Sequence, residues 1–91
     1  MNAEKLKEIM SRYGERHQAK KLNEEAYELT EAIHNYLCGR GSIRAIAEEM
    51  ADCLVLMGQF WLRYGITEAE LEEIAQQKID RQIERMKNEK L

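Results

Sequence analysis

The chain has no proline, only five glycines and only two cysteines among its 91 residues. Proline and glycine are the residues that interrupt helices, so their scarcity favours helix along most of the chain. Cys38 and Cys53 are far apart and form no Cys-x-x-Cys motif, so we expect two reduced thiols. A chain of this length makes one domain with a limited core, and oligomerisation is a common remedy.

A basic excess and a long apolar run are also missing. Charged residues make up 34% of the chain, yet the net charge is only −3, which is unlike a nucleic-acid-binding surface. No apolar run approaches the roughly 20 residues of a membrane span. The first residues lack the apolar segment of a secretory signal. We therefore expect a cytoplasmic protein that binds neither membranes nor nucleic acid.

Apolar residues at helical spacing and a few glycine breaks predict four helices, at about residues 2–13, 15–37, 43–64 and 68–88. Ser42 is the expected N-cap of the third helix. Thr67 and Glu70 have the spacing of a capping box and open the fourth. No segment shows the alternation of a strand. We predict an all-α protein, a helical bundle of about four helices that forms a single domain over residues 1–91.

The third helix is apolar around most of its circumference. Its apolar residues are Met50, Cys53, Leu54, Val55, Leu56, Met57, Phe60, Trp61 and Leu62. A helix of this kind is normally buried on all sides, and 91 residues cannot surround it. We therefore expect a second copy to pack on it, so that homodimerisation completes the bundle.

Two carboxylate pairs lie beside the apolar stripes of the second and third helices: Glu25 with Glu28, and Glu49 with Asp52. The i, i+3 spacing puts both members of a pair on one helix face. Such pairs are usually solvated surface. Here each follows a further glutamate, and like charges at this spacing destabilise a helix. A divalent cation between the two helices would remove the repulsion.

When the sequence is shifted by 24 residues, the second helix aligns with the third. Acidic residues then match acidic residues, and apolar residues match apolar residues. Glu25 then falls on Glu49, and Glu28 falls on Asp52. If the two helices form an antiparallel hairpin, both pairs can face one shared groove. Coincidence between two amphipathic helices of similar length is the alternative explanation.

A site made of carboxylates alone is hard, and it suits Mg²⁺ or Mn²⁺ better than Zn²⁺. A di-iron centre needs Glu-x-x-His on two helices, and neither His17 nor His34 has that spacing. On the last helix, Lys78 and Arg81 share one face and could contact phosphate beside a metal cluster, although a lysine there more often pairs with an acid. Lys21 and Gln18, one and two turns before Glu25, are weaker substrate-binding candidates.

Three segments in order resemble the MazG-like nucleotide pyrophosphohydrolases of the all-α NTP pyrophosphatase superfamily. They are Glu24-Glu25-Ala26-Tyr27-Glu28-Leu29, Glu48-Glu49-Met50-Ala51-Asp52 and Lys78-Ile79-Asp80-Arg81, and the resemblance spans roughly residues 18–85. It implies a helical bundle built as a homodimer or a dimer of dimers. It also implies Mg²⁺-dependent hydrolysis of a nucleoside triphosphate between the α and β phosphates, which yields a monophosphate and pyrophosphate.

By this resemblance the catalytic metal ligands are Glu25, Glu28, Glu49 and Asp52. Lys78 and Arg81 become the phosphate contacts, and Glu24 becomes a candidate for a supporting or base role. The resemblance does not name the nucleotide. The alternative function is a non-catalytic helical dimerisation or adaptor module with an acidic face.

Overall fold

The computed structural model describes residues 1–89, which form four helices and no strand. The helices are α1 (Ala3–Tyr13), α2 (Glu15–Leu37), α3 (Ile43–Arg63) and α4 (Glu68–Lys87). The prediction of an all-α chain is confirmed over this range, and each helix boundary lies within one residue of its predicted position. Residues 90 and 91 lie outside the described range, so a single domain over 1–91 stays a prediction.

The caps at the helix starts follow the sequence signals. The Ser42 hydroxyl accepts a hydrogen bond from the Ala45 backbone N–H at 3.1 Å, which satisfies one of the free donors at the start of α3. Thr67 and Glu70 form the predicted capping box of α4. Gly65, at φ +67°, takes the left-handed conformation that follows the end of α3 and lets the chain turn towards α4.

Helices α2 and α3 form an antiparallel hairpin. The connection is only residues 38–42, and the backbone N–H of Arg40 closes it by donating to the Asn35 carbonyl at 2.7 Å. At the far end of the hairpin, Gln18 Nε2 donates to Gln59 Oε1 at 2.9 Å. Residues advance along α2 as they retreat along α3, so the middle of one helix lies against the middle of the other.

Helix α1 packs across both hairpin helices, mainly against α3. Its buried residues are Leu6 and Met10. The close approach depends on Gly58, where a Cβ would lie 3.0 Å from Met1 Cε and 3.2 Å from Leu6 Cδ1. A larger residue at this point of α3 would force the side chains of Met1 and Leu6 to shift.

The apolar core of one chain is small. Only Leu6, Met10, Cys53 and Leu56 are buried apolar residues among those described. Cys53 is a free thiol, and burial raises its pKa, so it stays protonated and unreactive. Cys38, in the connection between the hairpin helices, is free and exposed.

Helix α4 does not belong to the packed unit. The packed pairs are α2 with α3, α1 with α3 and α1 with α2, and no residue between 68 and 87 is buried. The radius of gyration is 16.2 Å, whereas a compact chain of this length would have about 12 Å. Much apolar surface on α3 and α4 therefore remains open in a single chain. Over residues 1–89, no helix combines the length and the apolar character needed to cross a membrane.

Candidate metal centre

The antiparallel register of α2 and α3 brings the two acid pairs together at the middle of the hairpin. Glu25, Glu49 and Asp52 each contribute one carboxylate oxygen to a group of three. These three oxygens all lie within 4.8 Å of one another. Glu28, one turn further along α2, is close enough to Glu49 for its negative charge to raise the pKa of Glu49. The structure thus places four of the predicted site residues in one group, which we call the acid cluster.

The four carboxylates differ in depth. Glu25 is the deepest, with only 8% of its surface exposed, and Glu49 is partly buried. Glu28 and Asp52 are exposed and form the rim. Sequence spacing alone gave no reason to rank them, because both pairs are spaced alike. The ranking comes from the folded chain, in which Glu25 lines a groove together with residues of α3 and with Ile9 of α1.

Two oxygens of the acid cluster have no hydrogen-bond partner among residues 1–89: Oε2 of Glu25 and Oε2 of Glu49, both buried. A buried polar atom without a partner costs roughly 1–3 kcal/mol, and more if it is charged. The donor set is all oxygen, without histidine or cysteine, which is the set preferred by Mg²⁺ and Mn²⁺. The residues therefore fit a hard divalent cation.

The acids repel one another, and their protonation reflects this. The hydrogen bond with Glu25 and its negative charge raise the pKa of Glu28, with partial burial adding to the effect. For Glu49, burial comes first as the cause of a raised pKa, followed by the charges of Glu28, Asp52 and Glu25. Both carboxyls therefore hold a proton to a higher pH than usual unless a cation neutralises the cluster.

Lys21 is the cation nearest to Glu25. Its Nζ lies 3.3 Å from Glu25 Oε1 and 3.9 Å from Glu24 Oε2. The hydrogen bond and the charge of Glu25 raise the pKa of Lys21, which keeps it an ammonium. Glu24 is exposed and stands outside the group of three ligand oxygens, held by Lys21.

A groove of about 250 Å³ adjoins the acid cluster between α2, α3 and α1. Gln18, Lys21 and Glu25 line it from α2, and Asp52 and Gln59 line it from α3. Gln18 is thus placed beside the acids as predicted, although its amide nitrogen is already used on Gln59.

Gln59 is a buried residue of this groove that sequence reasoning missed. It is only 2% exposed, and its Nε2 donates to the Val55 carbonyl at 3.3 Å. Since a carbonyl only accepts, this bond orients the Gln59 amide, which in turn orients Gln18. Gln18 Oε1 then accepts from His17 Nδ1 at 2.7 Å. The available signal was a lone amide inside the apolar run of α3.

Lys78 and Arg81 are not brought to the acid cluster within one chain. Both are exposed on α4, which packs on neither hairpin helix. The sequence predicted that these two residues share one face of the helix, and in the described chain that face is open to solvent.

Fold and site together define a class: a helical hairpin with a cluster of carboxylates at its centre that could hold a hard cation. The family model of the MazG nucleotide pyrophosphohydrolase domain matches residues 13–89, and the chain belongs to this family. The match includes both acid pairs and α4, and it leaves out most of α1. Neither the curated proteins nor the solved structures include a match to this chain.

Proposed function

We propose that the protein is a Mg²⁺-dependent nucleoside triphosphate pyrophosphohydrolase. It would cleave ribo- or deoxyribonucleoside triphosphates between the α and β phosphates, giving a monophosphate and pyrophosphate, in the cytoplasm and without nucleic-acid or membrane partners. The observation that supports this most is the meeting of two acid pairs around buried, unpartnered carboxylate oxygens. A site that costs stability and contains hard ligands is typical of a functional centre.

Glu25, Glu49 and Asp52 would hold the cation, with Glu28 as a fourth ligand at the rim. Mg²⁺, or Mn²⁺ as an alternative, supplies positive charge against the phosphates and the leaving pyrophosphate when bound. The open side of the acid cluster at Asp52 and Glu28 faces solvent, so a triphosphate can approach there without a change in the hairpin.

Among the acids, Glu28 is better suited than Glu24 to accept a proton from the attacking water. Glu28 is exposed at the rim of the acid cluster, on the side that is open to water. Glu24 is paired with Lys21 and stands outside the ligand oxygens, so its role is to support Lys21. Lys21 and Gln18 line the groove beside Glu25 and would contact the substrate.

The proposal includes a homodimer, or a dimer of dimers. Residues at alternating steps of three and four along α3 form a stripe on the side away from the acids: Ala47, Met50, Leu54, Met57 and Trp61. This is the spacing of a coiled-coil seam, and Met50, Leu54 and Met57 are exposed in a single chain. A second copy on this stripe would also give α4, with Lys78 and Arg81, a surface to pack on.

One observation favours a non-catalytic dimerisation or adaptor module instead. The two cations expected to contact phosphate lie on α4, apart from the acids of their own chain. In such a module the acid cluster would be a binding face, and Mg²⁺ would neither stabilise the fold nor be needed for its role.

Pyrophosphate release from a panel of ribo- and deoxyribonucleoside triphosphates distinguishes the pyrophosphohydrolase from the non-catalytic module. Loss of a group that only supports a metal ligand typically costs about 10–100-fold, so we expect Glu49→Gln to lose at least about a hundredfold of wild-type activity. Glu48→Gln is the matched control, because Glu48 is exposed and pairs with Arg44 at 3.2 Å outside the cluster. Equal rates for wild type and Glu49→Gln, or equal losses in both variants, would contradict the assignment.

A further inference from the structure

Lys21 occupies an unusual position for a cation in a chain that is proposed to bind metal. Its ammonium lies 3.3 Å from Oε1 of Glu25, the most buried of the four acids. The other oxygen of the same carboxylate, Oε2, is buried and has no partner among the described residues. One oxygen of Glu25 is therefore neutralised by the protein itself, and the other is left for something else.

We propose that Lys21 is a built-in substitute for the metal: it neutralises Glu25 while no divalent ion is bound, competes with the ion for that carboxylate, and is released when the ion binds. Lys21 can have this role only if the acids hold a metal, so the inference rests on the proposed function. It goes beyond that function because it makes one lysine set both the stability of the metal-free protein and the affinity for the ion.

Charge makes the competition unavoidable. An ammonium and a divalent ion that share one carboxylate would lie a few ångströms apart and repel each other strongly in a partly buried site. The ion also gains more from the cluster than Lys21 does, because oxygens of Glu49 and Asp52 lie within 4.8 Å of the Glu25 oxygen. The lysine is therefore the group that moves.

A second carboxylate is available to receive Lys21. Glu24 Oε2 is 3.9 Å from the ammonium, is exposed, and stands outside the three ligand oxygens. Residues at i+3 and i+4 are both within reach of one side chain on a helix, so Lys21 can pass from Glu25 to Glu24 by rotating its own bonds. The side chain of Lys21 is 48% exposed, which leaves it free to do so.

Stability and metal affinity are linked in this scheme. A substitution that destabilises only the metal-free state raises metal affinity by the same factor, because the two quantities close one thermodynamic cycle. Lys21→Met removes the charge and keeps most of the aliphatic stem. Lys20→Met is the matched control, since Lys20 is the adjacent exposed lysine and has no ion pair within residues 1–89.

The test is Mn²⁺ binding by calorimetry, with thermal unfolding in chelator. We expect Lys21→Met to bind Mn²⁺ about tenfold more tightly than wild type, which corresponds to about 1.4 kcal/mol. Its metal-free form should melt below both wild type and Lys20→Met, and saturating Mn²⁺ should abolish the difference. A variant that folds only when Mn²⁺ is present would support the same conclusion.

Unchanged or weaker Mn²⁺ binding by Lys21→Met overturns the inference, as does a variant that stays unfolded at saturating Mn²⁺. Equal tightening in Lys20→Met also overturns it, because the effect would then be general charge and not the pair with Glu25. Pyrophosphate release by the wild type, measured in parallel, separates the two proposals. If the wild type binds Mn²⁺ but releases no pyrophosphate, the proposed enzymatic function is wrong. The role of Lys21 is then still decided by comparing the Mn²⁺ affinities of Lys21→Met and the wild type.

Discussion

Replacing Met57 by lysine should break the proposed homodimer without unfolding the chain. Met57 lies at the centre of the exposed stripe on α3, one turn from Leu54, and 47% of its surface is open in a single protomer. The buried apolar residues of α3 are Cys53 and Leu56, and Met57 is not among them. A charge at position 57 can therefore stay solvated in the monomer, whereas a dimer would have to bury it.

The size of the effect follows from the exposed fraction. Complete burial of a methionine or leucine side chain is worth about 1.5–3 kcal/mol, so the half that remains open on Met57 is worth about 1 kcal/mol. Each substitution occurs twice in a symmetric dimer. Loss of this contact alone costs about 2 kcal/mol, or about thirtyfold in the dimer dissociation constant. Burial of two lysine charges adds to that figure.

The same arithmetic shows that the α3 stripe cannot form the whole interface. Met50, Leu54 and Met57 on both protomers together supply about 6 kcal/mol, near the lower end of the 4–15 kcal/mol that association costs by common estimates. The exposed apolar residues of α4, such as Ile79 and Ile83, must also be covered if the dimer is to be stable.

Sedimentation equilibrium over a range of concentrations would measure this, with circular dichroism to verify the fold. Met57→Leu is the control at the same position, because it conserves volume and apolar character and should leave the dimer intact. If Met57→Lys dimerises as well as the wild type, the stripe is not the interface. A wild type that stays monomeric at high concentration would refute the dimer itself.

Two further predictions concern charge. In chelator, Glu28 and Glu49 should stabilise the fold below their usual pKa of 4.5, and this contribution should be lost as pH rises through their raised pKa values. Urea unfolding from pH 4 to 8 should show the loss. Glu49→Gln should make the free energy of unfolding depend less on pH. Saturating Mg²⁺ should remove the loss, and an unchanged profile in Glu49→Gln would contradict the cause. Separately, Lys78→Gln should raise the KM for a triphosphate. The control Lys87→Gln, which alters an exposed lysine paired with Glu84, should leave the KM unchanged. Equal KM values for Lys78→Gln and the wild type would exclude Lys78 from the substrate site.

The helices could be predicted almost to the residue because their signals are local. Ser42 caps α3 and Thr67 caps α4 through atoms within three residues, and Gly65 ends α3 through its own backbone conformation. None of these features depends on where the helices lie relative to one another. The antiparallel hairpin was also accessible, since residues 38–42 are too few to allow another arrangement of two long helices.

Within the site, the meeting of Glu25 with Asp52 followed from the hairpin, but the depth of each acid did not. Depth depends on how the helices pack against one another, and no local signal in α2 contains that information. The pairing of Lys21 with Glu25 was not predicted, because the sequence does not say which of several acids within one turn a lysine will contact. Either direction of an i, i+4 step places a lysine within reach.

The small core and the acid cluster bear on each other. Four carboxylates, two of them with raised pKa values, oppose the packing of α2 on α3, and only Cys53 and Leu56 are buried apolar residues on the hairpin itself. A protomer with so little buried apolar surface has little stability to offset that repulsion. In the proposed function, metal binding and dimerisation would each supply what is missing, from opposite sides of α3. The helix that holds half of the proposed ligands is thus also the helix that most needs a partner.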